Sequence, residues 1–238
     1  MEAVTLYQFE LCPFCHKVKA GLELKGVPYR KVEVNPLNKK ELPPLPQGSP
    51  KKVPVVTLNG KLVEDSTAIL KALDEQVKGP VTFLPADPEA RAKSEMIEQW
   101  VDDDLTYALP TVIYGTREEA FKAAQVTART SNFGFFQNLM VRAGGSLIMY
   151  QVSKRILKKR NQTDGHAWVR KELDRFEGWL GDQPFACGSE PTLADVAVHG
   201  ALKCIEEFPA FGEAMSRPKL KAWFDRVQKL RDQNRAKA

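Results

Sequence analysis

A change of hydrophobic period along the chain confines its fold more than any other feature. Val4 to Phe9 alternates as a strand, Cys12 to Lys25 has helical spacing, and Tyr29 to Val34 is again strand-like. That is a βαβ unit. A proline-rich loop, Glu41 to Pro50, leads into Val53-Pro54-Val55-Val56-Thr57-Leu58, Asn59-Gly60 and Lys61-Leu62-Val63, and Asn-Gly between two β-rich runs signals a hairpin. Ser66 to Gln76, with Ile69, Leu70 and Leu73 on one side, closes a βαβ-ββα domain over residues 1–80. Gly79-Pro80 and Leu84-Pro85-Ala86-Asp87-Pro88 mark a linker at 81–90. Beyond it apolar residues recur only at helical spacing: Ile97, Trp100, Val101 and Leu105, then Phe121 to Thr127, then Val169, Leu173, Phe176 and Leu180. Residues 91–238 therefore form an all-helical domain, and the fold class is α/β plus all-α. The short basic end, Arg231 to Ala238, is expected to fray.

A chain of 238 residues, 43% hydrophobic, can fill two modest cores. The formal charge of +5 comes from 35 basic and 30 acidic residues spread along the whole chain, unlike the clustered basic face of a nucleic-acid binder. Four cysteines, two in Cys12-Pro13-Phe14-Cys15 and two apart at Cys187 and Cys204, make no secreted disulfide framework, so a reducing, cytoplasmic compartment fits. Met1 to Thr5 shows no basic stretch followed by an apolar one, as an export signal has, and no apolar run of about 18 residues could span a bilayer.

Cys12-Pro13-Phe14-Cys15 lies between a strand and a helix, which puts Cys12 at the helix N-cap among unpaired N–H groups that favour an anion. Thiolates so placed titrate at roughly 3.5 to 7.5, against about 8.5 for free cysteine, so Cys12 is nucleophilic at neutral pH. Pro13 suits the first helical turn because it lacks an N–H that would be orphaned there. Cys15, one turn on, points to the same end and is placed to resolve a mixed disulfide. Three rival readings stand beside this one. Zinc needs four ligands, and Cys187 with Cys204 lacks knuckle spacing. Cys12 to His16 matches the c-type haem attachment signature, but here the motif opens a helix inside a βαβ unit. Two buried structural cysteines are the third.

Two further features accompany the thiol. Val53-Pro54, a proline entering a strand after a loop, is a position where a cis bond is tolerated, with an ordinary trans proline as the alternative. In Glu64-Asp65-Ser66-Thr67 a polar triplet precedes an apolar helix. As caps, Asp65 or Ser66 need no further role, while as a site the helix N-terminus and the Ser66 hydroxyl would accept a carboxylate. In the helical half, Thr192 and Asp195 have capping-box spacing and read as folding hardware, and His199 as a core residue rather than a base. Phe133 to Met140 and Leu147 to Tyr150 run into a basic stretch, Lys154 to Arg160. A pocket wall, a dimer face or a membrane-surface helix would each account for it, and core packing with a solvated charged end is the plainer expectation.

Strand, Cys-Pro-Phe-Cys, Val-Pro and Asp-Ser in that order, with a helical domain carrying Pro191-Thr192-Leu193-Ala194-Asp195, resemble the glutathione transferase superfamily with a glutaredoxin-like site. Leu6-Tyr7-Gln8-Phe9, Val32-Glu33-Val34-Asn35-Pro36, Lys52-Val53-Pro54 and Met149-Tyr150-Gln151-Val152-Ser153-Lys154-Arg155 look like the soluble part of its membrane-associated prostaglandin E synthase type 2 branch, over nearly the whole chain. The resemblance implies a thioredoxin-like N-terminal domain before a helical transferase-type domain. Glutathione would be held at Cys12, Val53 with Pro54, Asp65 and Ser66, its cysteinyl backbone on Val53 and its γ-glutamyl carboxylate at Ser66. It also implies a hydrophobic cavity beside the thiol, lined by Phe14. The branch is credited with isomerising prostaglandin H2 to the E2 form and with binding haem non-covalently through glutathione. The branch's tyrosine three residues before the first cysteine is Phe9 here, which removes a hydroxyl, and the proline-rich insertion at 43–50 is a further departure.

The leading expectation is a glutathione-dependent thiol transferase or thiol-disulfide oxidoreductase with Cys12 as nucleophile, glutathione or Cys15 as the resolving thiol and Phe14 beside them. The alternatives are the endoperoxide isomerase and a non-catalytic glutathione-haem binder. The expected partners are a small hydrophobic or disulfide substrate, with no nucleic acid. Dimers are common in the superfamily, so a homodimer is the assembly the resemblance implies, with peripheral membrane association as a further option.

Overall fold

The computed structural model describes residues 4–237; Met1 to Ala3, the start of the stretch read as lacking an export signal, and Ala238 lie outside it. Strand β1 (Val4–Gln8) is followed by α1 (Pro13–Leu24), β2 (Tyr29–Glu33), the hairpin β3 (Val55–Leu58) and β4 (Lys61–Glu64), and α2 (Ser66–Gln76). The sheet order is β2-β1-β3-β4, with β1 and β2 parallel and the other pairs antiparallel. Asn59 and Gly60 both take positive φ, 49° and 77°, as the right-handed strand twist requires of a two-residue turn.

Between α2 and α3 (Pro88–Trp100) the linker is pinned rather than free. The Asp74 carboxylate accepts the Phe83 and Leu84 N–H groups, and the Phe83 ring is wholly buried. A π-helical stretch, Val101–Leu105, continues α3 into the short α4 (Thr106–Ala108) and α5 (Pro110–Ile113). Then come α6 (Arg117–Thr130), α7 (Phe135–Met140), a second π-helical stretch (Val141–Gly145), α8 (Ser146–Lys159), α9 (Gly165–Leu180), α10 (Leu193–Lys203), α11 (Pro209–Met215) and α12 (Pro218–Arg235). The molecule is thus a βαβ-ββα domain followed by a helical one, as the change of period implies, and the first is thioredoxin-like, as the resemblance implies. No helix among the described residues is long and apolar enough to cross a membrane.

One apolar cluster runs through both parts, and α1 lies in the middle of it, packed on by α2, α10 and α12. Only Phe14 of its residues escapes burial, although it carries His16, Lys17, Lys19 and Glu23. Buried charges persist only when paired. Accordingly Lys17 meets Glu98 at 2.8 Å and also Asp102, Lys19 meets Glu10 at 3.1 Å, and Glu23 meets Arg231 at 2.7 Å. That last pair corrects the expectation of a frayed basic end. Arg231 is buried, and Asn234 donates to the Leu24 carbonyl at 2.8 Å, so α12 is held to α1 as far as its last turn.

Thr192 and Asp195 do form a capping box. The buried Asp195 carboxylate takes the N–H of Thr192 and Ala186, both at 2.9 Å, and the Trp223 indole at 2.7 Å. His199 is a fully buried core residue, stacked 4.1 Å from the Phe224 ring, with Nδ1 2.9 Å from Arg231. The apolar stretch after Phe133 does not pack into the core as expected: Phe135, Phe136, Leu139, Met140, Leu147 and Ile148 face solvent.

Candidate active site

Strand β1 stops at Gln8 and the chain turns so that the Cys12 N–H donates to the Phe9 carbonyl at 3.0 Å. Cys12 then takes the extended conformation of an N-cap, and Pro13 opens α1 with its ring where no N–H is needed. No full side-chain capping bond forms. Even so, the Cys15 thiol, followed by the amides of Cys15 and Phe14, faces the Cys12 sulfur closely enough to hold its pKa below the ordinary cysteine value against burial. Cys12 is half-buried and Cys15 fully buried, both as free thiols. Burial first, and the Cys12 sulfur second, push the Cys15 thiol well up. The pair is therefore asymmetric: a thiol held below its ordinary pKa that reaches the surface, and behind it a buried thiol held above.

A cavity of about 380 Å³ opens beside the start of α1, lined by Phe14, Pro50, Lys52, Val53, Pro54, Glu64, Asp65 and Ser66. It unites five of the residues singled out from the sequence. Cys12 and Cys15 are not in its wall; Phe14, between them in the chain, is. The Val53-Pro54 peptide is cis. Neither the N–H nor the C=O of Val53 has a hydrogen-bond partner among the described residues, which leaves an extended donor and acceptor free for a bound backbone. A second cavity of about 250 Å³, lined by Phe9, Val34, Pro36, Lys39, Lys52 and Val53, shares two of these residues. Phe9, Val34, Pro36 and Val53 make its wall largely apolar.

Asp65 is the N-cap of α2, its carboxylate accepting the Thr67 and Ala68 N–H groups at 3.0 Å. Those two amides are thus already used, and what α2 can offer a ligand is the remaining Ser66 N–H and the buried Ser66 hydroxyl, which makes no bond within the described protein. Asp65 sits at φ 72°, ψ 130°, a strained conformation for a residue with a side chain, costing on the order of 1–3 kcal/mol. Such strain concentrates at ligand-binding positions.

The cavity wall also holds residues that sequence reasoning passed over. Lys52 was legible only as the neighbour of Val53, and Glu64, fixed by the Ser49 hydroxyl at 2.8 Å, only as part of a polar run. Behind the wall, Thr67 donates its hydroxyl to Glu98 and Asp102, the carboxylates that also take Lys17. One buried network thus locks the start of α2 to α3 and α1, and burial raises the Asp102 carboxyl despite Lys17. His16, next to Cys15, is no base for the thiol. Burial, then Lys19, depress it to about 3, and its Nε2 lies 2.8 Å from the Glu10 carbonyl. Cys187 and Cys204 are both raised by burial. Among the described residues no cluster of His, Cys, Asp or Glu is placed to hold a metal ion.

Residues 6–81 match the family model described as glutathione S-transferase, N-terminal domain, and residues 147–230 match glutathione S-transferase, C-terminal domain. Prostaglandin E synthase 2 of Danio rerio is 30% identical across 95% of this chain and 70% of its own length. In fold the chain resembles glutathione S-transferase III in its apo form, with a TM-score of 0.65 at 20% identity, over 98% of this chain and 96% of that one. It also resembles a glutathione S-transferase from Methylobacterium radiotolerans in complex with glutathione sulfonate, with a TM-score of 0.53 at 21% identity, over 99% and 93%.

Proposed function

The chain belongs to the glutathione S-transferase family, and from that premise we propose that it is a glutathione-dependent thiol transferase in which Cys12 is the nucleophile. The observation that carries this reading is the depressed Cys12 thiol at the start of α1, next to a cavity with a free extended backbone at Val53 and a free hydroxyl at Ser66. Glutathione fits that cavity chemically. Its cysteinyl amide and carbonyl pair with Val53, its γ-glutamyl carboxylate takes the Ser66 hydroxyl and N–H at the positive end of α2, and Lys52 supplies a counter-charge for the carboxylate at its other end.

In the reaction proposed, the Cys12 thiolate attacks the glutathionyl sulfur of a mixed disulfide. A Cys12–glutathione disulfide forms, the old S–S bond breaks, and the substrate leaves as a thiolate that takes a proton from water. A second glutathione thiolate attacks the glutathionyl sulfur of that intermediate, releasing oxidised glutathione and restoring Cys12. Glutathione is the resolving thiol in this scheme rather than Cys15, because a buried thiol held well above its ordinary pKa is a poor nucleophile. Phe14 lines the cavity, and Cys15 stabilises the Cys12 thiolate by donating its S–H.

Reduction of a small-molecule glutathione mixed disulfide tests this. Cys12→Ser is expected to bring turnover to background while Cys15→Ser keeps most of it, and Cys12→Ser protein that still turns over at the wild-type rate sinks the proposal. The isomerase activity named in the zebrafish relative is the rival reading. Phe9, in the wall of the neighbouring cavity, offers no hydroxyl to a peroxide oxygen, and product analysis with prostaglandin H2 separates the two. The two cavity walls supply iron with no imidazole, thioether or phenolate, which leaves glutathione itself as the one ligand source, and haem forms no part of the proposal.

A further inference from the structure

From Phe135 to Lys159 the chain is one unbroken helix, α7, the π-helical stretch and α8, about 37 Å long at ~1.5 Å per residue. One side of α8 is held to the protein: Ser153 donates to the Tyr114 carbonyl at 2.9 Å, and Leu157 is buried. The opposite side carries a stripe whose character changes halfway. Its first half presents Phe135, Phe136, Leu139, Met140, Leu147 and Ile148, each between 59% and 80% exposed. Along the same outward face at helical spacing, its second half presents Lys154, Arg155, Lys158 and Lys159. The last three have no carboxylate within 4.0 Å among the described residues, whereas Arg160, just past the helix end, is paired with Asp104 at 3.9 Å.

The charge distribution says what covers this face. Residues 120–163 contain eight lysines and arginines and no aspartate or glutamate, leaving 27 basic against 30 acidic residues in the rest of the chain. A second copy covering the whole face would set its basic half against either the basic or the apolar half of the first, so a dimer would cover the apolar half alone and leave the cations to water. The apolar half is a set of projecting side chains rather than a groove: a Cβ added at Gly134 or Gly144 meets nothing within 4 Å. Projecting phenylalanine, leucine and methionine beside unpaired cations suit a fluid, negatively charged apolar boundary. We propose that the outward face of the Phe135–Lys159 helix docks on an anionic lipid bilayer, its first half entering the boundary between headgroups and acyl chains and its basic half lying on the headgroups.

Co-sedimentation of the whole chain with vesicles of phosphatidylcholine alone, and of phosphatidylcholine mixed with phosphatidylserine, tests it. The expected result is binding only to the mixed vesicles, weakened by salt. Arg155→Gln with Lys158→Gln and Lys159→Gln lowers the partition coefficient about fivefold per cation, on the order of a hundredfold together. Phe135→Ser with Phe136→Ser lowers it roughly tenfold or more. These two rings touch each other, and both are largely in solvent, so melting temperature and glutathione turnover should stay at wild-type values. Absence of binding to mixed vesicles overturns the proposal, as does binding that both variants retain. Two further results assign the face elsewhere and overturn it equally. One is a dimer in sedimentation velocity that dissociates in the Phe135→Ser/Phe136→Ser variant; the other is tight binding of an acidic peptide by protein that ignores vesicles.

Discussion

Replacing Gly200 by alanine drives a methyl group into the backbone of the helix that carries Cys12. Gly200 lies on α10 where it crosses α1, and a Cβ there would stand 2.6 Å from the Lys17 Cα and 2.7 Å from the His16 carbonyl oxygen and the Lys17 nitrogen. Ordinary contact between such atoms is about 3.5 to 4.0 Å, so the two helices must part by roughly 1 Å. Backbone atoms cannot swing aside as a side chain can. Overpacking of this kind costs about 1–3 kcal/mol, while alanine returns at most about 1 kcal/mol of helix propensity, so the net effect is a loss of roughly 1–2 kcal/mol. In a chain of this size each kcal/mol moves the melting temperature by about 2–4 °C, which places the fall at roughly 2–8 °C. Gly178 on α9 is the control: its added Cβ meets nothing within 4 Å, and Gly178→Ala should gain up to about 1 kcal/mol. Thermal unfolding of both variants, with the alkylation rate of Cys12, makes the comparison. Because α1 carries Cys12 at its start, Gly200→Ala should also change that rate. If Gly200→Ala melts as high as Gly178→Ala, the close crossing of α1 and α10 is wrong, and the account of how Cys12 is positioned goes with it.

Cys12 alkylation should rise with pH through a midpoint below the ordinary cysteine range, and Cys15→Ala, which removes the largest stabiliser of the thiolate, should move that midpoint up; an unmoved midpoint would mean that the Cys15 thiol does not matter. Since the folded pKa lies below the unfolded one, the ionised thiol adds stability above the unfolded pKa and loses it as pH falls through the folded value. Lys17→Met strips the counter-charge from Glu98 and Asp102 and should cost about 3–5 kcal/mol in urea unfolding, part of which Glu98→Gln in the same chain restores; a loss below 1 kcal/mol would show that water already reaches the network. Asp195→Ala leaves the Ala186 and Thr192 amides and the Trp223 indole without an acceptor, about 1–3 kcal/mol for each, and Asp195→Asn should lose less; equal melting temperatures for the two would contradict this bonding.

What local chemistry dictates was legible in the sequence. Pro13 after Cys12 marked the start of α1, Asn59-Gly60 the hairpin, and Thr192 with Asp195 the start of α10, because each signal acts within about four residues of itself. Val53, Asp65, Ser66 and Phe14 were each visible as candidates, but only the tertiary structure gathers them around one cavity and adds Lys52 and Glu64. That Asp65 spends its carboxylate on its own helix was likewise open until the backbone was placed. Nothing in the local sequence marks His16, Lys17, Lys19 and Glu23 of α1 as buried. They are buried because Glu98, Asp102 and Arg231 come to them from helices 80 to more than 200 residues further on. In the Phe133 to Tyr150 stretch the error ran the other way, for an apolar pattern gives the face of a helix and not what stands opposite it. A sequence determines periodicity and capping through neighbours in the chain; burial belongs to neighbours in space, and the docking of the helices decided it for Lys17 and for Phe136 alike.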